Sequence, residues 1–212
     1  MTQERPAMAR RGDPKYTWDD TVAAIGRDFS GGRVHVGQEK IDPSSVSRYC
    51  EVWEYGNLIY WDRRVAKGAG YKNVVVPWSS TYQTFTYDSF WRPGQPSRFS
   101  PGTDKNAMTA NVAPREEADE QVPMPPTTQG IITDIQIEFF EPLCIGDRLT
   151  AKGSKLVNVR VRETRIGYGA FMNRESEFYN QRGELVARIN RGGFSYNAGA
   201  KAPQQSGSAR RS

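Results

Sequence analysis

At 212 residues, 37% hydrophobic and 11% aromatic, the chain has the length and composition of one folded domain and not of a largely disordered polymer. Its formal charge of +5 comes from the two ends; acids and bases balance in between, which argues against a basic nucleic-acid-binding face. Two cysteines far apart and a single histidine, His35, argue against a disulfide framework and a zinc site, so no metal and no resident cofactor are expected.

Residues 1–15 carry Arg5, Arg10, Arg11 and Lys15 against Glu4 and Asp13. They read as a disordered basic tail without the apolar stretch of a secretory leader. The folded domain is expected over residues 16–197. His35 falls in a strand-like stretch, where it reads as a surface or packing residue. The first clear element begins at Asp42-Pro43-Ser44, an N-cap followed by proline at the first helical position. Val46, Tyr49, Cys50 and Trp53 then recur on one helical face. This helix is expected to reach about Tyr55, where Gly56-Asn57 stops it.

A short second helix follows from Asp62 to Lys67, then a brief extended run at Val74-Val75-Val76-Pro77. Residues 78–91 mix aromatic and polar side chains and are read as a helix held by its tertiary surroundings. Residues 92–128 are rich in proline and acidic in the middle. They read as an insertion, which at this length in a compact domain is usually either functional or disordered.

Beyond Gly130 the pattern turns to strands. Ile131, Thr133, Ile135, Ile137 and Phe139 alternate with polar residues, a strand with one buried face. A turn over residues 142–147 leads to a long strand with Leu149, Ala151, Gly153, Lys155, Val157, Val159 and Val161 on one face. Its other face carries Arg148, Lys152, Arg160 and Arg162. That face reads as an ordinary solvated one in preference to a site for an anionic partner. A third strand over 170–179 and a fourth over 184–196 are joined by the hairpin signal Asn180-Gln181-Arg182-Gly183. Gly192-Gly193 marks a bulge or bend in the fourth. Residues 198–212, with Lys201, Arg210 and Arg211, read as a second disordered tail. No apolar run approaches the roughly 20 residues that cross a bilayer, so no membrane span and a cytoplasmic location are expected.

Helices first and antiparallel strands after make an α+β pattern. The sheet must cover an apolar face, and residues 78–91 are the one segment large enough. A curved antiparallel sheet wrapped around that central helix is the expected fold.

The ordered series Ile137-Glu138-Phe139-Phe140-Glu141-Pro142, Gly146-Asp147-Arg148-Leu149-Thr150 and Asn180-Gln181-Arg182-Gly183-Glu184-Leu185 resembles the MaoC-like acyl dehydratases and hydratases. Ile41-Asp42-Pro43, Tyr71 and Val76-Pro77 are similar to the front half of the same domain, so the resemblance spans about residues 33–196. It implies a hot-dog fold, paired edge to edge, acting on acyl thioesters of coenzyme A or acyl carrier protein by reversible water addition. The reaction needs an Asp and a His in one cleft, which active members carry in a D-x-N-P-x-H segment.

Here the aligning residues are Tyr55-Gly56-Asn57-Leu58-Ile59-Tyr60. Asn57 is kept, but Tyr55 and Tyr60 stand where Asp and His belong, so no catalytic residue is assigned. The resemblance therefore implies the non-catalytic half of such an enzyme. That half binds the acyl chain through Asn57, Tyr60, Val76, Trp78 and Ser79, in a heterodimer with a MaoC-like catalytic subunit. Two alternatives stand beside it: a thioesterase using Glu54 or Asp62, and a non-enzymatic acyl-thioester-binding homodimer.

Overall fold

The computed structural model describes residues 12–37, 39–80, 93–94 and 120–203. A capping box opens helix α1 (Trp18–Ala23): the Thr17 hydroxyl accepts from Asp20 N, and the Asp20 carboxylate accepts from Thr17 N. The pattern Thr-x-x-Asp carries this signal in the sequence, which the reading above did not use. Strand β1 (Val34–Val36) follows and contains His35.

Helix α2 (Pro43–Val52) starts as anticipated, with the Asp42 carboxylate accepting from Ser45 N. Val46 and Cys50 are wholly buried on its inner face. The helix stops at Val52, short of Tyr55: Trp53 leaves helical geometry and Glu54 takes a positive φ of 51°. Trp53 therefore does not share the buried face and is 58% exposed. A 3-10 turn, Leu58–Tyr60, leads into helix α3 (Arg63–Gly68), which Asp62 caps by accepting from Arg64 N.

The four long strands are β2 (Gln129–Phe139), β3 (Thr150–Thr164), β4 (Gly167–Tyr179) and β5 (Leu185–Ala198). With β1 they form one antiparallel sheet in the order β1-β3-β4-β5-β2. The sheet is open, with β1 and β2 as its two edges.

This corrects the expected architecture. The sheet is neither curled nor closed around a helix, and no single long central helix occurs among the described residues. Of residues 78–91, Trp78–Ser80 form one 3-10 turn, and 81–91 lie outside the described residues, as does most of the 92–128 segment. The physical reason is visible at Pro77-Trp78-Ser79-Ser80: residues of modest helix propensity whose backbone closes on itself, Ser80 N and Oγ both donating to Pro77 O. Among the described residues, several short pieces cover the sheet. Val46 and Cys50 of α2, Val74 and Val76, and Leu143 and Leu149 pack on Ala151, Phe178, Ala187 and Ile189. A second cluster sets Ala24 and Phe29 against Leu156, Val159 and Ala170.

Alternation along β3 also departs from the simple pattern. Irregularities between Lys152 and Lys155, and between Leu156 and Asn158, reset the register. Ala151, Leu156 and Val159 therefore point inward while Lys155 faces solvent, each bulge turning the following residues over. At Gly192-Gly193 the bulge is real, but its extra residue, Thr133, sits on β2. The Asp134 side chain lies across Gly192, where a Cβ would collide with it. Strand β2 is mostly exposed, including Ile131, Ile132, Ile135 and Phe139, and so lacks the buried face its alternation suggested.

Candidate functional site

The site is carried by a strap, residues 74–80, laid beside the turn at 143–147. Val76 N donates to Leu143 O at 2.8 Å and Ile145 N to Val74 O at 3.0 Å, with Val75 bridged to Cys144. Buried Asp147 fixes that turn. Its carboxylate accepts from Cys144 N at 2.9 Å, Gln181 Nε2 at 2.9 Å and Arg182 Nη1 at 2.7 Å. Arg182 also reaches Glu184 at 2.7 Å, and these two carboxylates raise its pKa further above the ordinary value. Glu184, held by Asn180 and Arg182, titrates down at about 2.

On the other side of the strap, the end of α2 contributes tyrosines. Tyr49 Oη donates to Ser79 Oγ at 3.1 Å, and Tyr55 Oη lies 3.2 Å from the same oxygen. The Tyr49 and Tyr55 rings are 6.3 Å apart, and the Tyr55 and Tyr60 rings 6.0 Å apart. Tyr55 is held by its own backbone, its N–H donating to Cys50 O at 3.0 Å and its carbonyl accepting from Trp61 Nε1 at 2.6 Å.

The sequence-derived site residues take distinct places here. Tyr60 closes the 3-10 turn and packs on the core. Burial raises its phenol above the ordinary value, and Cys50, Tyr55 and Tyr71 add to the rise. Asn57 caps that turn, its Oδ1 accepting from Ile59 N at 3.2 Å. Val76 is 1% exposed and belongs to the core. The Trp78 ring lies 4.9 Å from that of Phe139 on β2. Ser79 is exposed and receives the tyrosine hydroxyls. The structure thus gathers Tyr55, Tyr60 and Ser79, leaves Asn57 as a cap, and sets Val76 behind them. It also brings in Tyr49, which the sequence reading placed on an apolar helix face and in the family resemblance but not in the site. Its partner lies 30 residues away, beyond the reach of local periodicity.

The two carboxylates weighed for thioester hydrolysis are engaged otherwise or exposed. Asp62 caps α3, and the Arg64 N–H above all lowers its pKa; Glu54 is exposed at the strained residue after α2. Of the cations on the outer strand face, Lys152 lies opposite Glu177 and over the Tyr179 ring at 4.7 Å. Arg188 pairs with Glu177 at 3.0 Å and Glu138 at 3.2 Å. Lys152, Glu177, Arg188 and Glu138 thus alternate in charge along one row across β3, β4, β5 and β2. His35 sits on the edge strand β1, opposite Ala151. Among the described residues no group of His, Cys, Asp and Glu could hold a metal, and no helix is long and apolar enough to cross a membrane.

Comparison with known proteins gives this arrangement its context. The chain is 25% identical over 165 residues to a protein of Thermomonospora curvata named "Probable enoyl-CoA hydratase alpha subunit". That match takes in 78% of this chain and 47% of the relative, so the chain spans about half the length of the curated relative it matches. The ChsH1-ChsH2 complex from Mycobacterium tuberculosis superposes with a TM-score of 0.59 at 15% identity, over 86% of this chain and 96% of that one. A MaoC-like dehydratase from Rhodospirillum rubrum gives a TM-score of 0.48 at 14% identity, over 82% and 93%. Residues 23–189 match the FAS1-like dehydratase domain region. The chain is a member of that family.

Proposed function

We propose that this chain is the acyl-holding subunit of an enoyl-thioester hydratase or 3-hydroxyacyl-thioester dehydratase, and that a MaoC-like hot-dog partner supplies the Asp and His. The observation that carries this reading is the occupation of both dyad positions by tyrosines, Tyr55 and Tyr60, packed 6.0 Å apart. Water addition across an enoyl thioester needs a base to take a proton and an acid to return one, both in a single cleft. A phenol ordinarily titrates near about 10, and burial moves that of Tyr60 away from neutrality. The Tyr60 ring is thereby made less suited to take a Cα proton at pH 7.

In this reading the acyl chain runs past Trp78, with Tyr60 and Ser79 toward its polar end, while buried Val76 and the cap residue Asn57 support them from behind. The partner's dyad acts on the thioester from across the interface. The name of the T. curvata relative, which speaks of an enoyl-CoA hydratase and of one subunit of it, supports a divided enzyme.

The test is reconstitution. The purified chain alone is expected to show no hydration of an enoyl-CoA. Co-purified with a MaoC-like protein bearing D-x-N-P-x-H, it is expected to bind acyl thioester and raise the partner's turnover. Hydration by this chain alone, with contamination excluded, would reject the division of labour. Acyl-CoA hydrolysis abolished by Glu54→Gln or Asp62→Asn would reject it in favour of a thioesterase.

A further inference from the structure

Strand β2 carries two charged residues, Asp134 and Glu138, and between Gln129 and Phe139 no lysine, arginine or histidine. The chain as a whole is basic, at +5, so an acidic edge strand runs against its composition. Both carboxylates stand on one face with Gln136 between them, since side chains two apart on a strand share a face. Across the sheet that face begins with cations, Lys152 and Lys155 on β3. It passes through Glu177 and Glu175 on β4 and Arg188 and Asn190 on β5, and ends at Glu138 and Gln136 on β2. The row through Lys152 therefore closes on an acid at an open edge. Arg188 does not balance that acid alone, because Glu177 at 3.0 Å, Glu138 at 3.2 Å and Glu175 at 3.9 Å share it. Asp134 accepts from Thr133 Oγ1 at 2.7 Å and Asn173 Nδ2 at 3.3 Å, two neutral donors.

Charge on an edge strand commonly serves to prevent pairing altogether. The opposite face of β2 argues against that here. Ile137 packs on the core, and Ile135 and Phe139, its neighbours on the same face, are exposed. An edge protected against pairing would not present them to water. Beyond β5, the remaining N–H and C=O groups of β2 meet no other strand. The strand is built to be paired, and its acids decide with what. In an antiparallel pair, residues directly opposite each other lie on the same face. Paired with a second copy about Gln136, Asp134 would meet Glu138 twice; centred on either acid, that acid would meet its own copy. Like charges directly opposite destabilise a sheet, and opposite charges stabilise it. A strand with lysine or arginine at these places turns each repulsion into an attraction.

We infer that Asp134 and Glu138 are specificity residues for assembly. They direct β2 to an edge strand of a different chain, basic on the face that meets them and apolar on the other, and they turn away a second copy of this one. The inference rests on the divided-enzyme reading for the existence of a partner, and goes beyond it in giving that partner's edge a chemistry. Two such contacts, each repulsive with one partner and attractive with the other, separate the two affinities on the order of tenfold. Specificity of this kind lies in the difference between partners, and the repulsive element supplies part of it.

The experiment supplies the basic strand from the chain itself. Sedimentation velocity of the full-length chain is compared with that of the double variant Asp134→Lys/Glu138→Lys, each alone and the two mixed in equal amounts. The mixture sets carboxylate against ammonium at both positions, and its Kd is expected to lie about tenfold or more below either self-association Kd. Salt at about 1 M, which screens charges beyond about 3 Å, should remove the difference. Asp134→Asn/Glu138→Gln keeps the shape of both side chains and should self-associate more tightly than the unaltered chain, so it tests the idea even if the lysine variant folds poorly. Equal association in all samples, or none in the mixture, overturns the proposal. So does a preference that salt leaves untouched, or a neutral variant that self-associates no better than the unaltered chain. No outcome depends on turnover or on an acyl ligand. Mixing that behaves as expected beside a failed reconstitution would keep the edge's preference and remove the divided enzyme.

Discussion

At the scale of single residues, Asp147 does the most to hold the site in shape. It is 5% exposed and accepts three hydrogen bonds, from its own turn and from the hairpin at Gln181 and Arg182. Asp147→Ala would leave the Cys144 N–H without its acceptor and half-buried Arg182 short of one carboxylate. A destabilisation of about 2–3 kcal/mol is expected, read as a lowered urea midpoint with unchanged m value. Glu184 gives the same network a pH signature. Its carboxylate titrates near 2 in the folded protein against an ordinary 4.5. The stabilisation is therefore complete above about 4.5 and is lost as pH falls toward 2. Glu184→Gln should lower the melting temperature most at pH 7, with the gap to the unaltered protein narrowing below about pH 4.5 and closing only near pH 2. A gap that widens in acid would contradict this assignment. The motif Gly146-Asp147 was legible as part of a family resemblance, but its clamp was not. Gln181 and Arg182 lie on another hairpin, and no local pattern pairs them with Asp147.

At the scale of elements, local chemistry was informative where it acts locally. Asp42-Pro43 and Asp62 begin their helices because a carboxylate can accept the orphaned first-turn N–H groups. Asn180-Gln181-Arg182-Gly183 turns because Gly183 adopts φ 79°. The central helix was expected from the sheet's need for cover, not from propensity or periodicity; of its segment only Trp78–Ser80 is described, as a 3-10 turn, and 81–91 lie outside the described residues. In the structure that cover comes from α2, the 74–76 strap and the 143–149 turn. The two register shifts in β3 were illegible for a different reason: a bulge depends on the neighbouring strand as much as on its own sequence. Strand β2 offers a test at this scale. It is an edge of eleven residues with Ile132 68% exposed, the kind of strand that natural proteins cover or blunt with charge. Ile132→Lys should cost the fold within about 0.5 kcal/mol, as exposed substitutions do, yet abolish association with the partner proposed above in size-exclusion chromatography. Unchanged association would place the interface elsewhere.

At the scale of the whole molecule, the family was readable from an ordered series of short motifs, none decisive alone. The gathering of the site was only half readable. Tyr55, Tyr60 and Ser79 were named from the sequence and come together; Tyr49 was missed because it joins them through a contact between distant segments. The open sheet has one further consequence. Strand β2 is laced to the sheet along β5 alone, and that seam is interrupted at Thr133, where Asp134 folds over Gly192. A strand fastened on one side unzips more readily than one fastened on both, so its amides should exchange with deuterium sooner than those of β4. A subunit docked along its free side would add a second row of stitches, and slowed exchange confined to residues 129–139 would then report assembly without any assay of turnover.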